Sequence, residues 1–241
     1  MAAPSQGCRV TRVVVIPAYQ EAERVGAVVQ RARAALPDYQ IVVVDDGSRD
    51  ATSSVARQAG AAVLRHPFNL GYGAALQTGY KYALRTDASL LVQLDADGQH
   101  DPADAIALAE PVEAGELDVV IGSRFLGAGD YRMGPLRAAG RRFFQGLLAA
   151  LGPRITDPTS GFQALSPRAI EFYTGDHFPS DYPDVDVLLG AHRHGLRIGE
   201  RAVVMGESPR ASSLHAGLAP LFYVYKMLLS LWAVSARPRK S

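Results

Sequence analysis

Short runs of β-branched residues alternate along this chain with longer stretches in which apolar side chains recur every three or four positions. Arg12-Val13-Val14-Val15-Ile16 is the first such run, and Pro17, which cannot donate to a ladder, is expected to end it. Val25, Val28, Val29, Ala32 and Leu36 then fall at helical spacing up to Pro37. Ile41-Val42-Val43-Val44 is a second strand that runs into Asp45-Asp46-Gly47-Ser48. Asp50 can cap a helix over 51–59 that Gly60 stops, and 62–64 is a third strand. A helix over 74–84, a fourth strand Leu90-Leu91-Val92-Gln93-Leu94, a helix from Pro102 to about Glu113 and a fifth strand over 119–124 continue the alternation. Strand, helix, strand in this order predicts an α/β fold with one Rossmann-like, mostly parallel twisted sheet flanked by helices.

Beyond residue 127 the pattern loosens. A polar loop over 127–134 leads into a helix that carries Arg137, Arg141 and Arg142 among Phe143, Phe144, Leu147 and Leu148. A turn and short strand over 155–164, a helix over 168–173 capped by Ser166-Pro167 and a helix over 186–194 stopped by Gly195 follow. His192 and His194 on that last helix do not share a face and read as surface residues. Residues 218–234 are almost wholly apolar, broken only by Lys226 and Ser230, with Arg237, Arg239 and Lys240 after them. The expected organisation is therefore a flexible terminus over 1–9, a catalytic domain over 10–205, and a loop and amphipathic helical extension with a basic tail over 206–241.

Composition narrows the partners. With 25 Lys and Arg against 24 Asp and Glu, the net charge of +1 gives no reason to expect nucleic acid. The single cysteine, Cys8, excludes an intrachain disulfide framework and suits a reducing cytosol. Neither a signal peptide nor a run of about 20 apolar residues is expected to span a membrane. The 218–234 helix, with Tyr223, Tyr225 and Trp232, suits the face of an anionic membrane or a membrane-protein partner. Packing on the core or on a second copy of the chain, as a homo-oligomer, is the alternative.

The chemistry gathers where the fourth strand stops, at Asp95-Ala96-Asp97-Gly98-Gln99-His100. Open α/β sheets bind ligands at the carboxyl ends of their strands, and two carboxylates one residue apart suit a hard divalent cation that keeps positions for phosphate oxygens. An Asp-x-Asp pair alone is weak, as the second instance at Asp184-Val185-Asp186 shows. Its position after a buried strand is what singles out the first. Gly71 and Gly73 before the third helix would let backbone N–H groups approach an anion, or serve plain turn chemistry. Arg137 and Arg141, four residues apart, share a face that is either solvated or part of an anion site with Arg124.

Val-Val-Val-Ile-Pro-Ala-Tyr-Gln-Glu-Ala (13–22), Val-Val-Val-Asp-Asp-Gly-Ser-Arg-Asp-Ala-Thr (42–52), Asn-Leu-Gly-Tyr-Gly-Ala-Ala-Leu-Gln-Thr-Gly (69–79), Gln-Leu-Asp-Ala-Asp-Gly-Gln-His-Asp-Pro (93–102) and Gly-Ser-Arg-Phe (122–125) together resemble the family 2 inverting glycosyltransferases. The likeness is to the branch of dolichol-phosphate mannose synthases and polyprenyl-phosphate glycosyltransferases, and it covers roughly 10–205. It implies a GT-A fold and a UDP-, GDP- or dTDP-linked sugar donor held through Mg2+ or Mn2+. It also implies that Pro17, Ala18, Tyr19 and Glu21 surround base and ribose, that Asp46 recognises the base edge or ribose, and that Gly73 and Ala96 lie against the donor. Asp95 and Asp97 would hold the metal, with Gln99 completing its shell. Arg124, with Arg137 or Arg141, would grip a phosphate on the acceptor.

A polyprenyl phosphate acceptor is already anionic and needs no strong base, and a membrane-peripheral enzyme at the cytoplasmic face would reach it. A sugar hydroxyl of a growing glycan or lipid-linked saccharide needs a carboxylate to take its proton. Pro183-Asp184-Val185-Asp186 resembles the segment that supplies one in many relatives, so Asp184 is the candidate base, with helix capping as its other role. A nucleotidyltransferase would need a Gly-rich basic loop after the first strand, which Pro17-Ala18-Tyr19-Gln20 does not provide. A non-catalytic binding module would leave the acids at two strand ends unexplained.

Overall fold

The structure, a computed structural model, describes residues 11–126, 135–181 and 183–206, without the side chains of 135–141 and 144. The 218–234 segment and its basic tail lie outside the described residues. Seven strands form one sheet in the order β3-β2-β1-β4-β6-β5-β7. They are β1 (Thr11–Ala18), β2 (Tyr39–Asp45), β3 (Ala62–Arg65), β4 (Ala88–Gln93), β5 (Val119–Ser123), β6 (Gln163–Leu165) and β7 (Ile198–Ala202). Between them run α1 (Val25–Ala35), α2 (Thr52–Gln58), α3 (Tyr72–Arg85), α4 (Ala105–Glu113), α5 (Pro135–Leu151), α6 (Pro167–Tyr173) and α7 (Val185–Arg193). All neighbouring strands are parallel except β6, which runs antiparallel to both β4 and β5. Among the described residues, no helix is long and apolar enough to cross a membrane.

Helices cover both faces of the sheet, which is why its central strands are apolar without alternation. Val13, Val15, Val42, Val44 and Leu91 pack on one face with α3, α6 and α7. Val14, Ile16, Val43 and Val92 pack on the other with α1 and α4. Each such fully buried side chain stabilises the fold by about 1.5–3 kcal/mol. Gly79 of α3 sits so close to β1 that a Cβ there would lie 2.3 Å from Val15 Cγ1.

Two details differ from the sequence expectation. Pro17 does not end β1, which continues to Ala18 with Pro17 opposite Val44 of β2. The Val15 carbonyl accepts from Leu94 N–H on the β4 side, and Val15 opposite Gln93 is the last β1–β4 pair. Two residues on, the proline nitrogen faces that same side, where no ladder remains to need its missing donor. The second difference is β7, a half-buried strand with no apolar run to announce it, added in parallel to β5.

Candidate active site

At the carboxyl end of β4 the chain turns through Asp95-Ala96-Asp97-Gly98. Ala96 is buried in the α1–α4 side of the core beside Leu94, so the two flanking aspartates are left half-buried at the surface. Gly98 makes the turn at φ +79°, a conformation open to glycine. Gln99 N–H donates to Asp97 Oδ1 at 2.9 Å, and Arg31 of α1 donates to the Gly98 carbonyl at 3.0 Å, so the turn is held from both sides. Burial and the nearby Asp95 carboxylate push the Asp97 carboxyl above its ordinary value, Arg24 and His100 opposing them. An acid that its neighbour makes costlier to ionise, beside that neighbour, forms a donor set that a hard divalent cation would relieve. Among the described residues, no group of three or more His, Cys, Asp or Glu side chains is placed to hold a metal ion.

His100 supports this turn from beneath. Its ring is buried and stacked on Phe162 at 4.8 Å, and Asp95 N–H donates to its Nδ1 at 3.3 Å. Burial lowers its pKa, with Asp95 and Asp97 pulling the other way. Asp95 Oδ1 accepts from the Tyr72 hydroxyl at 2.8 Å. Burial, the Asp95 charge and its hydrogen bond hold that hydroxyl well above the ordinary tyrosine value, and Asp184 adds to them. Asp184 stands at the start of α7. It makes no side-chain cap for α7.

The ends of β1 and β2 form the adjoining wall. Pro17 and Ala18 are buried in β1, while Tyr19 is exposed beyond it. The loop after Tyr19 is tied to the loop after β2. Gln20 N–H, at φ +55°, donates to Ser48 Oγ, Glu21 N–H to Thr52 Oγ1 and Ala22 N–H to Asp50 Oδ2. Glu21 pairs with Arg24 at 3.0 Å. Asp46 is buried, and its carboxylate accepts from His66 Nδ1 at 2.7 Å and from the N–H groups of Leu70 and Gly71 at 2.9 Å each. Its observed partners are thus the 66–71 loop that leads into α3.

The remaining residues singled out in the sequence fall as follows. At the start of α3 the Gly73 N–H has a partner within the protein. That N–H donates to the Asp181 carbonyl at 3.3 Å, and the next one, of Ala74, to Ser180 at 3.0 Å. A Cβ at Gly73 would lie 2.1 Å from the Pro179 oxygen. The glycine therefore lets the loop that carries Asp184 dock on the start of α3. Gln99 directs its amide to the Gly206 carbonyl at 3.4 Å. Arg124 grips buried Asp157 with two side-chain bonds, Nε to Oδ2 at 2.6 Å and Nη2 to Oδ1 at 2.7 Å. Arg137 and Arg141 lie on α5, and their side chains are outside the described residues. Glu200 of β7 fixes the turn that bears Asp157, accepting from Thr156 N–H at 2.7 Å and from Asp157 N–H at 2.9 Å.

Sequence reasoning missed Tyr72, His100, Asp157, Gly161 and Glu200. Tyr72 and His100 sat within quoted motifs, but nothing in their neighbours says that either turns toward Asp95. Gly161 matters because a Cβ there would lie 2.7 Å from Asp95 Oδ2 and 2.9 Å from the Tyr72 hydroxyl.

With this geometry in hand, residues 13–173 match the family described as Glycosyl transferase family 2. The chain is similar to polyprenol monophosphomannose synthase of Mycolicibacterium smegmatis, 35% identical over 66% of this chain and 63% of that protein. It is similar to undecaprenyl-phosphate mannosyltransferase of Micrococcus luteus, 30% identical over 85% of this chain and 87% of that one. Its fold is similar to that of glucosyl-3-phosphoglycerate synthase from Mycobacterium tuberculosis, solved with Mn2+ and uridine-diphosphate-glucose. The TM-score is 0.69 at 22% identity, over 95% of this chain and 80% of that one. The fold is that of the GT-A enzymes.

Proposed function

This chain belongs to glycosyl transferase family 2 and is a glycosyltransferase, and on that premise we propose that it moves a sugar, with inversion, from a nucleoside-diphosphate donor to a polyprenyl phosphate. Asp95 and Asp97 hold Mg2+ or Mn2+ in this reading. The observation that carries it is the pair of interacting carboxylates at the end of β4, set apart by the inward Ala96. When bound, a divalent cation there neutralises charge that develops on the leaving nucleoside diphosphate.

The chain's own residues do the rest. Tyr19 and Glu21, on the loop pinned to Ser48, Asp50 and Thr52, line the base and ribose, and Asp46 keeps the 66–71 loop in place beside them. His100 supports the backbone at Asp95. An acceptor phosphate oxygen attacks the anomeric carbon, the bond from that carbon to the diphosphate oxygen breaks, and nucleoside diphosphate leaves. The names of the Mycolicibacterium and Micrococcus relatives support the lipid phosphate as acceptor. Arg124, with Arg137 or Arg141, meets that phosphate in this reading, and 218–234 rests on the cytoplasmic face of the membrane.

Incubation with labelled UDP-, GDP- and dTDP-sugars, Mn2+ and polyprenyl phosphate in anionic vesicles tests the proposal. Label should move into the lipid phase in step with donor loss. Donor consumption with no lipid product in any combination rejects the acceptor. A sugar hydroxyl acceptor remains the second reading, because Asp184 lies close enough to Tyr72 for its charge to act on that hydroxyl. Asp184→Asn separates the two: loss of turnover with donor binding retained favours the hydroxyl, and near-normal turnover the phosphate.

A further inference from the structure

Three side chains to which the sequence reading gave no role connect the interior to Asp95. Tyr80 is fully buried in α3, with its ring fixed edge-on against Tyr173 and Phe178, both at 5.5 Å between centroids. Its hydroxyl donates to Gln93 Oε1. The Asp95 carboxylate can only accept, so the Tyr72 hydroxyl donates to its Oδ1 at 2.8 Å and takes its own bond from Gln93 Nε2 at 3.2 Å, which leaves Gln93 Oε1 to accept from Tyr80. Every donor in the series points the same way and the series ends on a carboxylate, the arrangement in which hydrogen bonds polarise and strengthen one another.

Packing alone does not account for Tyr72. The residue as a whole is 38% exposed in the first turn of α3, yet its hydroxyl is turned inward onto the acid. Gly161 leaves room for that contact, since a Cβ there would crowd both oxygens. The register agrees, because β6 begins two residues later with Gln163 paired to Gln93.

We propose that Tyr72, backed by Gln93 and Tyr80, is a positioning residue that fixes the Asp95 carboxylate for the divalent cation, so that the cation meets a set rather than a mobile acid. The proposal rests on the metal reading of Asp95 and Asp97. Groups that orient a metal ligand in this way typically change affinity by 10–100-fold when removed. In Tyr72→Phe, which loses one oxygen from a partly exposed ring, Mn2+ affinity should fall about tenfold. It is read by titrating the intact, donor-free protein and following free Mn2+ by electron paramagnetic resonance.

The Mn2+ concentration that half-saturates turnover should rise by the same factor, and kcat should fall by less. Tyr80→Phe should weaken Mn2+ binding in the same direction, and the double variant should be no worse than Tyr72→Phe, because the two act in series. A merely structural role would move the melting temperature of Tyr72→Phe and leave Mn2+ affinity alone. Unchanged affinity in Tyr72→Phe, with binding lost in Asp95→Asn, overturns this proposal by itself. Mn2+ binding absent in the wild type, or equally tight in Asp95→Asn, overturns the metal reading and this proposal with it.

Discussion

Asp118 looks in the sequence like an ordinary loop acid before a strand, yet it joins three elements. Its carboxylate accepts from Arg197 N–H at 2.9 Å, Arg197 Nε at 3.1 Å, Ser166 Oγ at 3.2 Å and Arg168 Nη1 at 3.4 Å. Burial raises its pKa, but the backbone and guanidinium bonds of Arg197, with the charges of Arg197 and Arg168, outweigh burial and hold the carboxyl below its ordinary value. A carboxyl depressed in the folded state contributes stability above its unfolded pKa, about 3.9, and that contribution is lost as pH falls through the lower folded value. Asp118→Asn should therefore destabilise by about 1–3 kcal/mol at pH 7. The difference in melting temperature from wild type should shrink as calorimetry is carried down toward pH 3. Gly161→Ala is the second residue-scale test, and turnover should drop on the order of 10²-fold while circular dichroism is unchanged, because the new methyl displaces Asp95 rather than the core. Asp95 and Asp97 were legible because a strand end and a turn are local signals. Tyr72 and Gly161 were not, because their partner lies 23 residues away for Tyr72 and on the far side of β5 in chain order for Gly161.

Elements built from apolar runs were visible in the sequence, the short β3 among them and β6 in part, and the half-buried β7 was not. β1, β2 and β4 carry consecutive buried residues, a pattern that only a sheet covered on both faces explains. β6 has three residues, and its antiparallel sense comes from its neighbours β4 and β5 rather than from its own sequence. β7 has no residue fully buried. At the start of α3 the glycines do permit close approach, and the approaching group is the 179–181 backbone. Deeper in the same helix, Gly79→Ala places a methyl against Val15 and should cost roughly 1–3 kcal/mol. Thermal unfolding would show this as a fall of about 2–4 °C for each kcal/mol. An unchanged melting temperature would mean that α3 can move off β1.

Across the whole molecule, a doubly covered sheet is the rigid part and its carboxyl edge is the working part. Strands β1, β2 and β4 deliver Tyr19, Asp46 and the Asp95–Asp97 pair to one edge, and the turn fixed by Arg124 and Glu200 closes beside them. Without a cation, Asp95 raises the cost of ionising Asp97, a local cost at the place proposed for the donor. That cost makes metal dependence the claim on which the rest depends. The most direct measurement is sugar-nucleotide consumption against Mn2+ concentration in the wild type and in the Asp95→Asn/Asp97→Asn double variant. The wild type should show saturable dependence that EDTA removes, and the double variant should fall to background with a melting temperature equal to or above that of the wild type. Consumption at the wild-type rate in a folded double variant would contradict the account.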